Sequence, residues 1–204
     1  MRSIIGNTNL LILTHWIVKL AYLNILWFLF CILGVGIFGW APATVGLFTI
    51  LSKWKSGEKC AIFPTFYSIY KKEFINSNIS GVIILFLAIL FLLNFRTLSQ
   101  IPVTKISSLF LIGNGTLFIL FILSLLFFFP IYIHYSGEFR VIVQKIFLIT
   151  LGKLPLTIFA LILSFTWVTV LFRFPGLIIF FSVSILALII TLISPDWLIK
   201  KNYY

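Results

Sequence analysis

A chain of 204 residues that is 62% hydrophobic and only 9% charged is not a soluble globular domain, which is about half apolar and about a quarter charged. A protein of this size buries too little of its surface to hide so many apolar side chains from water, so lipid is the solvent the composition requires. The net charge of +11, fifteen Lys and Arg against four acids, is spread beside apolar runs rather than gathered in a basic domain, which points to topology signals and anionic head groups and excludes nucleic acid.

Backbone groups in hydrocarbon find no partner outside their own element, so spans are helices or strands of a closed barrel. Runs such as Ile83-Ile84-Leu85-Phe86-Leu87 do not alternate, which rules out the barrel. The expected fold class is all-α: one polytopic transmembrane helical bundle over 1–204, with about five spans and two amphipathic interfacial or cytoplasmic helices.

The first span is expected over about 20–40, after an amphipathic lead-in from Asn7 to Lys19. Ala41-Pro42-Ala43 has the small-residue pattern of a signal-peptide cleavage site, but the apolar stretch before it is long enough to span. Gly34-Val35-Gly36-Ile37-Phe38-Gly39 spells the dinucleotide-binding pattern, yet no strand precedes it; the glycines fit close helix packing or a loosened helix end before Pro42. Residues 41–78 form the largest predicted loop, with a turn at Ser56-Gly57-Glu58 and an amphipathic helix over 65–76. In that helix Phe66, Ile69, Tyr70 and Phe74 make the apolar stripe, and Ser68, Lys71, Lys72 and Asn76 lie opposite.

The second and third spans are expected over about 79–95 and 109–131. A second amphipathic segment, 138–150, carries Phe139, Ile142, Val143, Ile146 and Ile149 on one face. Pro155 precedes the fourth span, 156–172, which a tight turn at Arg173-Phe174-Pro175-Gly176 joins to the fifth, 177–193. A faint parallel repeat relates 16–95 to 109–172 through Pro42 and Pro130 and through Ser-Gly-Glu at 56–58 and 136–138; chance within a biased composition yields the same match.

Counted by side, Arg2, Lys19, Arg96, Lys105 and Arg173 oppose Lys53, Lys55, Lys59, Lys71, Lys72, Arg140, Lys145, Lys153, Lys200 and Lys201. The positive-inside rule then sets the amino terminus outside, and both amphipathic segments and the carboxyl terminus in the cytoplasm. Tryptophans near span ends fit an interfacial aromatic belt.

Chemistry-bearing side chains are few. The span centres hold no Asp, Glu, Lys or Arg, and the candidate polar residues within the membrane are Asn24, Asn114 and Thr116, with hydroxyls in the fourth and fifth spans. They serve either as structural glue or as the lining of a polar path. Lys53, Lys55, Lys71, Lys72, Arg140 and Lys145 are candidate contacts for a partner or for anionic lipid. Cys31 and Cys60 are not expected to pair in a reducing compartment, His15 and His134 have no ligand cluster around them, and four acids leave nothing from which to build a catalytic constellation. No enzyme activity, cofactor or metal is expected.

The run Trp16-Ile17-Val18-Lys19-Leu20-Ala21-Tyr22-Leu23-Asn24-Ile25-Leu26-Trp27 resembles the opening of the YesL-like family of small bacterial membrane proteins. So do Gly39-Trp40-Ala41-Pro42-Ala43-Thr44, Phe66, Tyr70-Lys71-Lys72-Glu73-Phe74 and Asn78; the second half matches in outline only. The family is a domain of unknown function. The resemblance implies a bacterial cytoplasmic membrane and an association with carbohydrate uptake, and it assigns no catalytic residue. Two functional expectations arise, from different classes. One is an accessory or scaffolding subunit that binds membrane transporter subunits. The alternative is a homo-oligomeric transporter or channel for a small uncharged solute, lined by Asn24, Asn114 and the hydroxyls.

Overall fold

A computed structural model describes residues 2–195 apart from 101, 103 and 136–138, and these residues form helices without a strand. In chain order they are α1 (Arg2–Leu33), α2 (Trp40–Lys55), α3 (Ile62–Ser99), α4 (Lys105–Tyr132), α5 (Phe139–Gly152), α6 (Leu154–Arg173) and α7 (Leu177–Ile193). Leu13–Leu33, Ile62–Ser99, Ile106–Tyr132 and Leu154–Arg173 are long and apolar enough to cross a bilayer, and Leu177–Ile193 is a shorter apolar helix. The molecule is a multi-pass, all-α membrane protein.

Residues 34–40 do not complete the first span as expected; α1 stops at Leu33. The cause lies in the glycines. Val35 and Gly36 adopt left-handed backbone, with φ of 58° and 73°, and the chain reverses there. A Cβ on Gly34 would collide with the backbone of Gly39 and with the Tyr70 hydroxyl, so the two arms of the turn touch backbone to backbone. Asn78 on α3 donates to the Phe38 carbonyl at 2.9 Å, and the Tyr70 hydroxyl donates to the Phe30 carbonyl at 3.1 Å, tying the turn to α3.

After the turn the chain forms a helix where a loop is expected. Helix α2 opens with Pro42 in its first turn, where a missing N–H costs nothing, and ends at the predicted Ser56-Gly57-Glu58 turn. Its sixteen residues span about 24 Å. Residues Ala41–Phe48, Ile50, Leu51 and Ser52 are buried, and α2 touches α1, α3, α4 and α7. Small residues make this possible: the Phe66 ring covers Gly46, and the Trp40 ring lies over Gly81. The centre of the bundle is α2.

The amphipathic segment 65–76 is not a separate helix either. It is the first third of α3, which continues without a break through 79–95 for 38 residues, about 57 Å. Buried residues on α3 stop at Gly81, and on α4 they resume at Leu123, Asn114 excepted. Between those limits the two helices form a hairpin held by Phe91, Phe95, Phe118 and Phe121, whose ring centroids lie 5.4–5.6 Å apart. The other faces of the hairpin expose apolar side chains such as Phe86, Leu93, Phe110 and Ile112, as lipid-facing surfaces do.

Helix α5 carries the second amphipathic segment, with Ile142, Ile146 and Ile149 buried and Val143 facing outward. Glu138, Ser136 and Gly137, with Lys200 and Lys201, lie outside the described residues. Pro42 lies in the first turn of α2, and Pro130 lies inside α4.

The backward run of α2 also corrects the count by side. Lys19 stands over the rings of Trp16 and Trp54, at 5.7 and 5.3 Å, and shares a recess with Lys59 and Cys60. Lys55 binds the last carbonyls of α7. Lys19, Lys53, Lys55, Lys59 and the carboxyl end of α7 therefore lie at one end of the bundle, not on opposite sides. Among the tryptophans, Trp16 and Trp54 pair at that end, while Trp27 and Trp167 are tied inside by bonds to Thr44 and to the Ser182 carbonyl.

Candidate functional site

Asn24 is fully buried, and its amide is saturated by α7. The side-chain nitrogen donates to the carbonyls of Ile179 and Ile178, at 2.8 and 3.3 Å, and to the Ser182 hydroxyl at 3.5 Å. The side-chain oxygen accepts from the backbone N–H groups of Val183 and Ser184, both at 2.9 Å. These are groups of the helix's own i→i−4 ladder, so Asn24 stitches α1 into the backbone of α7.

Asn114 lies in the hairpin half of α4 with its amide nitrogen buried and unpartnered among the described residues. Thr116 faces outward and returns its hydroxyl to the Ile112 carbonyl. Thr166 and Thr169 likewise bond back to their own helix from exposed positions. No shared partner links Asn114 or Thr116 to Asn24 among the described residues.

The basic residues separate into distinct roles. Lys55 donates to the carbonyls of Thr191, Leu192 and Ser194, at 3.0, 3.3 and 2.7 Å, and so caps the carboxyl end of α7. Lys145 sits 5.8 Å from the Tyr135 ring centre, and Arg140 and Lys71 are exposed. Lys53 and Lys72 converge on a cavity of about 520 Å³ between α2, α3 and the end of α4.

That cavity is the candidate site. Helix α2 contributes Val45, Thr49 and Lys53; α3 contributes Pro64, Thr65, Ser68, Ile69, Lys72 and Glu73; Tyr132 and Ile133 come from the end of α4 and just beyond. Glu73 is buried, and the buried Tyr132 hydroxyl donates to its Oε2 at 3.0 Å. Lys53 pairs with Glu58 at 3.6 Å, the one ion pair among the described residues. A smaller recess adjoins, where Ser52 and His134 Nε2 meet at 3.5 Å; burial holds the His134 imidazole below its usual range. The arrangement sets a buried carboxylate beneath ammonium groups nearer solvent, with hydroxyls beside them: a binding geometry for a polar ligand.

Neither Glu73 nor Tyr132 is among the candidate site residues read from the sequence. The buried positions of α3 are Phe66, Glu73, Ser77, Ser80 and Gly81, a mostly polar and small face, whereas the apolar positions face outward. In lipid the polar stripe is the inner one, and the acid within Lys71-Lys72-Glu73 at helical spacing from Phe66 is the signal that marks it.

The family model described as "Protein of unknown function, DUF624" matches residues 20–95. In Bacillus subtilis (strain 168), the uncharacterized protein YesV is 33% identical over 178 residues, covering 85% of this chain and 84% of its own length. The uncharacterized protein YteU is 30% identical over 85% of this chain and 78% of its own. The chain belongs to the YesL-like family. The uncharacterized protein YesL itself is 29% identical over 88% of this chain and 84% of its length. No solved structure matches. The part of this YesL-like chain that meets the family model holds Asn24, all of α2 and the α2 and α3 walls of the cavity.

Proposed function

We propose that this YesL-like protein is an accessory or scaffolding subunit of a membrane transport system in the bacterial cytoplasmic membrane, carbohydrate uptake being the class its family resemblance suggests. The α3–α4 hairpin carries the reading. Two helices leave the core at Gly81 and rejoin it at Leu123, and between those points they present apolar side chains outward on nearly every face. A membrane subunit can dock on such a hairpin without disturbing the packing around α2. The reading assigns no catalytic residue. The basic end, with Lys19, Lys53 and Lys59, is assigned to the cytoplasm by the positive-inside rule.

Co-purification of the tagged full chain in mild detergent tests the proposal. A transporter component should come through at fixed ratio, and Phe86→Ala, Leu93→Ala and Ile112→Ala together should cut its recovery by about tenfold, roughly 1.4 kcal/mol of lost affinity. Recovery of the chain alone across several detergents and growth sugars, or undiminished recovery with the triple variant, would overturn it.

A further inference from the structure

The cavity between α2, α3 and α4 holds its charges at two depths. Glu73 is only 8% exposed, receives one hydrogen bond from Tyr132, and joins no ion pair among the described residues. Burying a carboxylate without a counter-cation is unfavourable, because the surroundings no longer screen its charge. Lys72 is exposed on the same cavity, and Lys53, its side chain 31% exposed, already leans on Glu58. An anion alone would satisfy the two lysines and repel Glu73; a cation alone would do the reverse. Thr49 on α2 and Ser68 on α3 line the same cavity. A volume of about 520 Å³ falls within the range of small-ligand sites.

We propose that this cavity binds a small zwitterion, its primary ammonium group against Glu73 and its phosphate or carboxylate between Lys53 and Lys72. The same chemistry is presented by a free ethanolamine phosphate and by the head group of phosphatidylethanolamine. The site is independent of the scaffolding role and stands or falls separately from it.

The test is calorimetric titration of the full-length protein in phosphatidylglycerol nanodiscs with phosphoethanolamine, ethanolamine and inorganic phosphate. Phosphoethanolamine should bind at least about tenfold more tightly than either fragment, since both charges are then paired at once. Glu73→Gln should abolish that preference and, with the repulsion gone, leave inorganic phosphate bound as well as before or better, whereas Lys72→Gln should weaken phosphoethanolamine and phosphate alike. Lys72 is exposed, so its variant reports even where Glu73→Gln does not fold. Doping the nanodiscs with phosphatidylethanolamine separates the sources: competition with phosphoethanolamine identifies the lipid head group, and no competition identifies the free zwitterion, either result sustaining the site. Equal affinity for phosphate and phosphoethanolamine, an unchanged preference in Glu73→Gln, or binding of none of the probes would overturn it.

Discussion

An amide in the middle of an apolar helix has two donors and two acceptor lone pairs to satisfy, and at Asn24 every partner comes from α7. That Asn24 needs a partner is legible in the sequence; that the partner is the backbone of a helix about 155 residues away is not, because backbone groups leave no mark in composition. Asn24→Ala should cost about 2–3 kcal/mol, read as a lower unfolding midpoint in detergent. Asn24→Asp should cost more than Ala, since the carbonyls of Ile178 and Ile179 would then face a carboxylate. The reverse order would remove the stitching role. His134 supplies a pH signature. Burial lowers its folded pKa below the ordinary 6.5, so the unfolded chain binds the extra proton first. Its stability contribution is full above 6.5 and drains away as pH falls through the folded value. Unfolding midpoints between about pH 5 and pH 8 should fall on acidification and flatten in that window for His134→Gln.

At the scale of elements, all five apolar runs announce themselves, because lipid demands about twenty apolar residues in sequence. Helix α2 escapes that criterion. It is sixteen residues long, mixes Ala41, Ala43, Thr44, Gly46 and Thr49 with its larger apolar residues, and packs against other helices instead of lipid, so neither length nor hydropathy separates it from a loop. The boundary at Leu33 is likewise set by backbone conformation in a glycine turn and not by loss of hydrophobicity. A pair of alanine substitutions tests this account. Gly34→Ala forces a Cβ into the Gly39 backbone and the Tyr70 hydroxyl and should destabilise by about 1–3 kcal/mol. Gly113→Ala meets nothing within reach inside α4 and should be neutral or stabilise by about 0.5–1 kcal/mol. Equal effects at the two sites would mean that the arms of the turn are not in backbone contact.

For the whole molecule, the inserted α2 reverses the parity of the chain. With it, residues 16–19 of α1, the end of α2 and the end of α7 share one face of the bundle, where Trp16, Lys19, Trp54 and Lys55 meet. Without it, the same lysines divide between the two sides of the membrane. Counting charges from sequence therefore succeeds or fails on one helix, and the failure at Lys19 stems from α2 rather than from the positive-inside rule. Single-cysteine reporters decide the matter. In a background lacking Cys31 and Cys60, Lys19→Cys and Lys59→Cys should both resist a membrane-impermeant thiol reagent on intact cells and react after permeabilisation. Arg173→Cys, at the far end of α6 and beside the turn into α7, should react in both conditions. Opposite labelling of positions 19 and 59 would refute the α1–α2 hairpin itself. Labelling of both on intact cells would keep the hairpin and turn the molecule over, setting the basic face and its cavity outside the cytoplasm.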